Sequence, residues 1–253
     1  MTHKLFFILL TASLLAACSS GRGTPTESFP VTDAPLQTSS EVAPTLPASA
    51  ASPAIPASTA TPKPPLEKDA FMRMPVIPLG VSDAMREVYL RGIENGNDPA
   101  RFAIIGDCQN VSSYFLSAFD NPNDYSLGSE YAYLQPTIEY YQGSFSRLSL
   151  AVKGGFNAAA VISPLRADPK LCNAGESPLD CELRAWKPSI VFVSMETWWS
   201  QKPAEEYDKY MRKVLDRIIE FGAVPIIATK ADNLEGDHAI NNAIAQLAYE
   251  YEI

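Results

Sequence analysis

Cys108 has the strongest claim to chemistry in this chain. It closes the tripeptide Gly106-Asp107-Cys108, directly after the apolar run Phe102-Ala103-Ile104-Ile105. A thiolate is an intrinsically strong nucleophile, so a cysteine exposed at a sharp turn after a buried strand can accept an acyl group. Gly106 allows the turn to be sharp. Val111, Tyr114, Phe115 and Ala118 then repeat at helical spacing and predict a helix that begins at the cysteine. A helix start there would offer N–H groups and a positive dipole end, either to activate the thiol or to hold an oxyanion. A second set of N–H groups comes from Lys153-Gly154-Gly155-Phe156-Asn157, where a glycine N–H could join as a second oxyanion donor.

Few partners for such a nucleophile are available. The chain has two histidines, His3 and His238. His3 belongs to an N-terminal leader, and His238 opens the last helical segment, where a solvated or locally hydrogen-bonded histidine is expected rather than a base. Asp232, Glu235 and Asp237 precede it. They could form a cation loop, but a solvated helix entry is the simpler expectation. No HExxH and no CxxC pair occurs, so no metal is called for, and no cofactor. Thr229-Lys230-Ala231-Asp232 resembles the guanine-reading motif of GTPases. The glycine-rich phosphate loop that must accompany it is nowhere in the chain, which excludes a nucleotide site.

These residues need elements to hold them. Phe102–Ile105, Leu148–Val152, Ile190–Val193 and Val224–Ala228 read as short buried strands. Ser82 caps a helix with Met85, Val88, Tyr89 and Ile93 on one face, ending at Asn95-Gly96-Asn97. Pro203 opens an amphipathic helix through Tyr207, Tyr210, Met211, Val214, Leu215, Ile218 and Ile219, with Gly222 as its stop. A last helix carries Ile240, Ala243, Ile244, Leu247, Ala248 and Tyr251. Alternation of this kind predicts a three-layer α/β/α, doubly wound and mainly parallel sheet, with its chemistry in the loops after each strand. Cys172 and Cys181 bracket a polar loop with a Gly and a Pro; a local disulfide is expected, two free thiols being the alternative.

Taken in order, these segments resemble the SGNH (GDSL-type) hydrolases. Ile104-Ile105-Gly106-Asp107-Cys108 is similar to their block I, where the motif is Gly-Asp-Ser. Gly155 is similar to the block II glycine, and Pro188–Ser194 to the strand before block III. The resemblance spans roughly Phe102 to Ile253 and rests on order and spacing more than on identity. It implies a flavodoxin-like, SGNH-like fold, with Cys108 at the nucleophile position and the N–H groups of Cys108 and Gly155 at the oxyanion hole. The departures are Cys for Ser and the missing Gly-x-Asn-Asp, in whose place stands Met195-Glu196-Thr197-Trp198-Trp199. The C-terminal Asp-x-x-His is also absent. Because Tyr249–Ile253 stops where such a fold continues into a fifth strand, the expectation is a C-terminally truncated frame.

Composition places the domain. Ten of the twenty-one prolines lie between Pro25 and Pro65, so residues 18–69 read as a disordered Pro/Ser/Thr/Ala-rich tether and 70–253 as the folded domain. Residues 1–17 read as an export signal. Leu15-Ala16-Ala17-Cys18 resembles the bacterial lipobox. That implies lipidation of Cys18 and an extracytoplasmic, membrane-anchored lipoprotein. A net charge of −9 leaves no footprint for nucleic acid. Tyr131, Tyr133, Tyr140, Tyr141, Trp198 and Trp199 read either as ordinary core and loop aromatics or as a platform for sugar rings. The partners expected are therefore the membrane and a carbohydrate or acyl ester. The function expected is an esterase or deacetylase on acylated envelope carbohydrate, inactive or nearly so as this chain. The alternative is a non-catalytic scaffold binding an envelope glycan or partner.

Overall fold

The computed structural model describes residues 63–195 and 203–253. The leader, Cys18, most of the tether, Glu196, Trp198 and Trp199 lie outside the described residues. The chain divides between Ala57 and Ser58, and everything described belongs to the second unit.

Three parallel strands form one sheet in the order β1 (Asp98–Gly106), β2 (Pro188–Ser194) and β3 (Val224–Ile227). Helices cover both sides: α1 (Asp83–Glu94), α2 (Gln135–Tyr140), α3 (Ala158–Val161), α4 (Pro178–Trp186), α5 (Pro203–Phe221) and α6 (Ala239–Tyr251). Strand side chains alternate between faces. Ala103, Ile105, Val191 and Val193 therefore enter a large core with Leu179, Leu183, Met211, Leu215, Ile244 and Leu247. Phe102, Ile104, Ile190 and Phe192 face the smaller cluster of Ile138, Phe145 and Tyr141. Ala228 N–H donates to Val193 O, which by alternation turns Pro225 to the far edge of β3. The N–H that proline lacks thus costs no bond to β2.

Ser82 accepts from Met85 N–H at 3.2 Å and caps α1 as its sequence predicts. Gly222, at φ +88°, ends α5. Its carbonyl sits so close to Gly92 of α1 that a Cβ there would overlap it. Asn97 Nδ2 donates to that same carbonyl at 3.1 Å, and an Arg91 nitrogen donates to Ile219 O at 2.6 Å. Arg91 of α1 and Asn97 just beyond it thus satisfy carbonyls at the C-terminal end of α5.

Three expectations need correction. Leu148–Val152 is not a strand. Its amides are spent locally: Leu150 N–H on Glu182, Ala151 N–H on Ser149 Oγ and Val152 N–H on Ser149 O. Only a single parallel bridge, Val152 to Gly106, remains. No helix begins at Cys108 either; a three-residue 3-10 turn, Cys108–Asn110, gives way to extended backbone at Val111. Leu116 then takes a left-handed conformation, φ 62°, which no helix accommodates. Third, residues 63–69 are not tether but a strap along α6. Lys63 Nζ donates to Tyr249 O at 2.8 Å, Leu66 N–H to Gln246 at 2.8 Å, and Asp69 N–H to Asn242 at 2.7 Å. Asn242 and Gln246 lie four residues apart on one helix face, which gives the strap its register.

Candidate functional site

The turn after β1 is built by its own side chains. Asp107 is buried and accepts from Gln109 N–H at 2.9 Å, while Asn110 Oδ1, also buried, accepts from Asp107 N–H at 3.2 Å. This reciprocal capping closes the turn in three residues. A Cβ on Gly106 would overlap the Asn110 side chain, so the glycine is required by close approach rather than by its dihedral angles. Cys108 emerges from the turn exposed, the one free cysteine among the described residues. With no α-helix behind it, no row of stacked peptide dipoles ends at the thiol.

The second loop reaches Cys108 by way of Gly106. Gly106 N–H donates to Ala151 O at 3.2 Å and its carbonyl accepts from Lys153 N–H at 3.3 Å. Both of its hydrogen-bonding groups therefore face this segment, on the edge of β1 away from β2. The next residue, Gly154, lies against the cysteine: a Cβ built on it would stand 3.8 Å from Cys108 Cβ. Gly155 follows at φ +81° and opens to solvent, a conformation suited to glycine. Asn157 then caps α3, accepting from Ala160 N–H at 2.9 Å. Of the two glycines, Gly154 touches the candidate nucleophile, whereas the expected oxyanion donor Gly155 is one residue further on.

The other candidates fall elsewhere. His238, in a left-handed conformation before α6, places Nδ1 3.4 Å from Asp69 and its ring edge-on to Phe71. Its side chain thus lies against residues far away in sequence, Asp69 of the strap and Phe71 just after it, rather than against its own loop. Lys230 Nζ binds Asp232 at 2.9 Å and Glu235 at 2.7 Å, and Asp237 accepts from Ala239 N–H, so the acids of that loop are engaged internally. Tyr114, Tyr131, Tyr133 and Tyr140 are exposed, while Tyr141 packs on Phe102 in the smaller core.

Cys172 and Cys181 are joined, with S–S 2.12 Å. Glu176 lies within ligand range of both sulfurs, but a disulfide offers no thiolate, and the carboxylate is bonded to Arg184. The Arg184 hydrogen bond is the largest influence holding Glu176 well below the ordinary carboxyl range, at about 2. A cavity of about 470 Å³ opens beside this loop. Its charges are already matched, Arg184 with Glu176 and Arg217 with Asp180, and no residue of the Cys108 turn lines it.

Sequence reasoning missed α4 and two of its side chains. Glu182 is wholly buried and accepts from Leu150 N–H; Trp186 donates its indole N–H to Phe102 O at 2.9 Å. The signal was present. Ser177-Pro178-Leu179-Asp180 is a capping box with proline at the first helical position, and both of its hydrogen bonds form.

Compared with known proteins, the chain matches no family model, no curated protein and no solved structure. Among the described residues, no helix is long and apolar enough to cross a membrane.

Proposed function

We propose that this domain is an SGNH-like hydrolase scaffold, an esterase or deacetylase acting on acylated envelope carbohydrate and anchored outside the cytoplasm by a lipid on Cys18. The observation that carries it is the convergence of the Gly106 turn and the Gly154-Gly155 turn on the exposed thiol of Cys108. In this reading residues 149–153 stand where a further strand would flank β1. The order then becomes flavodoxin-like, with the two loops meeting where such sheets bind ligands.

The chemistry follows from that placement. Cys108 Sγ attacks the ester carbonyl and forms the C–S bond, and the developing oxyanion is held by N–H groups of Cys108 and Gly155. The C–O bond to the sugar breaks, and the thiol proton leaves with the alcohol. Water then hydrolyses the thioester. His238 is engaged with Asp69 and Phe71 and is not assigned the base, so acylation is expected to outrun deacylation in this chain. Assay of a simple acetyl ester tests the reading: steady turnover is expected to be near the uncatalysed rate. Sustained turnover abolished by Cys108→Ala would confirm the nucleophile but contradict the assignment of an inactive chain.

A second reading is supported by the exposed tyrosines. Tyr114 at 81% and Tyr133 at 71% expose far more ring than folding requires. The scaffold would then hold an envelope glycan without hydrolysing it. Titration with glycan fragments decides it: Tyr133→Ala should weaken binding at least tenfold, and equal affinity would sink this reading.

A further inference from the structure

One buried charge has no part in the chemistry above. Glu182 on α4 is 0% exposed, yet it carries a carboxylate into the larger core region. Such a group persists only where it is paired and hydrogen-bonded. Both conditions are met by one stretch of chain. Arg147 forms its ion pair, and Leu150 N–H donates to its Oε2 at 2.9 Å. Arg147 is itself fixed over the Trp186 ring, 4.3 Å from guanidinium carbon to centroid, with Arg101 at 4.4 Å from the same ring. Burial, with Arg101 second, pushes the Arg147 guanidinium down to about 10, so it stays charged at neutral pH.

The stretch that Glu182 holds is the one lacking a strand ladder. Between Arg147 and Lys153 the remaining attachment to the sheet is the bridge to Gly106. A segment with one bridge has no register of its own. Something outside it must decide which residue meets Gly106, and hence which residue meets Cys108.

We propose that Glu182 is the positioning residue of the Cys108 site, fixing residues 147–150 from α4 so that Val152 pairs with Gly106 and the Gly154-Gly155 turn lies against the thiol. Its importance for acyl transfer rests on the function proposed above, whereas its hold on the segment does not. The two are read separately. Amide hydrogen exchange at Gly106 and Lys153 reports the bridge directly, and the rate of Cys108 acylation by p-nitrophenyl acetate reports the site.

Glu182→Ala is expected to speed exchange at both amides at least tenfold and to slow Cys108 acylation about tenfold, as a misplaced donor loop should. Glu182→Gln keeps the volume and an acceptor for Leu150 N–H but loses the charge, so it should restore part of both. It also carries the test if the alanine variant does not fold. Val88→Ala, on α1 and outside the buried cluster that includes Ala151, weakens the packing elsewhere and should leave acylation unchanged at a temperature where it is folded. Exchange at Gly106 and Lys153 unchanged in the folded Glu182 variants would overturn the proposal. Faster exchange with unchanged Cys108 acylation would uphold the hold on the segment and instead refute the donor loop's part in the site.

Discussion

Asn110 and Asp107 show how few residues a tight strand-ending turn needs. Each side chain satisfies the other's backbone, and the price is a glycine at 106 because Asn110 occupies the space a Cβ would take. Gly106→Ala is therefore expected to cost about 1–3 kcal/mol, as overpacking does, and to slow Cys108 acylation together with the loss of stability. A chemical melt and an acylation rate on the same variant check both halves. A second prediction concerns acid. Glu176 falls from the ordinary 4.5 to about 2 through its Arg184 bond. At Asp180 burial pushes upward, but the bonds from Arg217 and Ser177 outweigh it and leave the carboxyl below its usual value. A carboxyl depressed in the folded state contributes stability above its unfolded value and loses it as pH falls through the folded one. Urea midpoints should hold steady from pH 8 to about 5 and decline between about 4.5 and about 2. Arg184→Gln should flatten that decline, and a slope unchanged by it would contradict the assignment.

Elements explain which parts of this fold were legible. α1, α5 and α6 announce themselves because one face is apolar at helical spacing and their ends carry Ser82, Pro203 and Gly222. Leu148–Val152 misleads because apolar side chains say nothing about where amides go, and here Ser149 and Glu182 take them. The stretch after Cys108 misleads for a related reason: helical spacing survives at Val111, Tyr114 and Phe115, but Leu116 at φ 62° breaks the backbone. That the turn after Gly106 and the glycine loop come together could be read from order along the chain. The buried Glu182 could not, because its partners lie 32 and 35 residues away in sequence. Two predictions belong to this scale. Gly92→Ala drives a methyl into the Gly222 carbonyl and should cost about 1–3 kcal/mol by denaturant titration. Reduction of Cys172–Cys181 should cost roughly 2–3 kcal/mol for so short a loop, with the midpoint returning on reoxidation.

At the scale of the molecule, the sheet gathers its unusual features on one side of β1. The far edge of β3 carries the backbone nitrogen of the buried Pro225, and β2 lies between two strands. The free edge of β1 takes the single bridge that brings Gly154 to Cys108. Asp69 of the strap along α6 and Phe71 just after it hold His238. The domain thus offers an exposed thiol beside the Gly154 turn, and the histidine among the described residues is engaged elsewhere; on the function proposed above, such a site accepts an acyl group more readily than it releases one. The most direct test is one equivalent of p-nitrophenyl acetate mixed with the folded protein and followed by peptide mass analysis. The expected result is one stable acetyl thioester, on Cys108, formed at least tenfold faster in the folded protein than in urea and absent in Cys108→Ala. Acetylation of Cys108 no faster folded than unfolded, or acetylation elsewhere in its place, would contradict it.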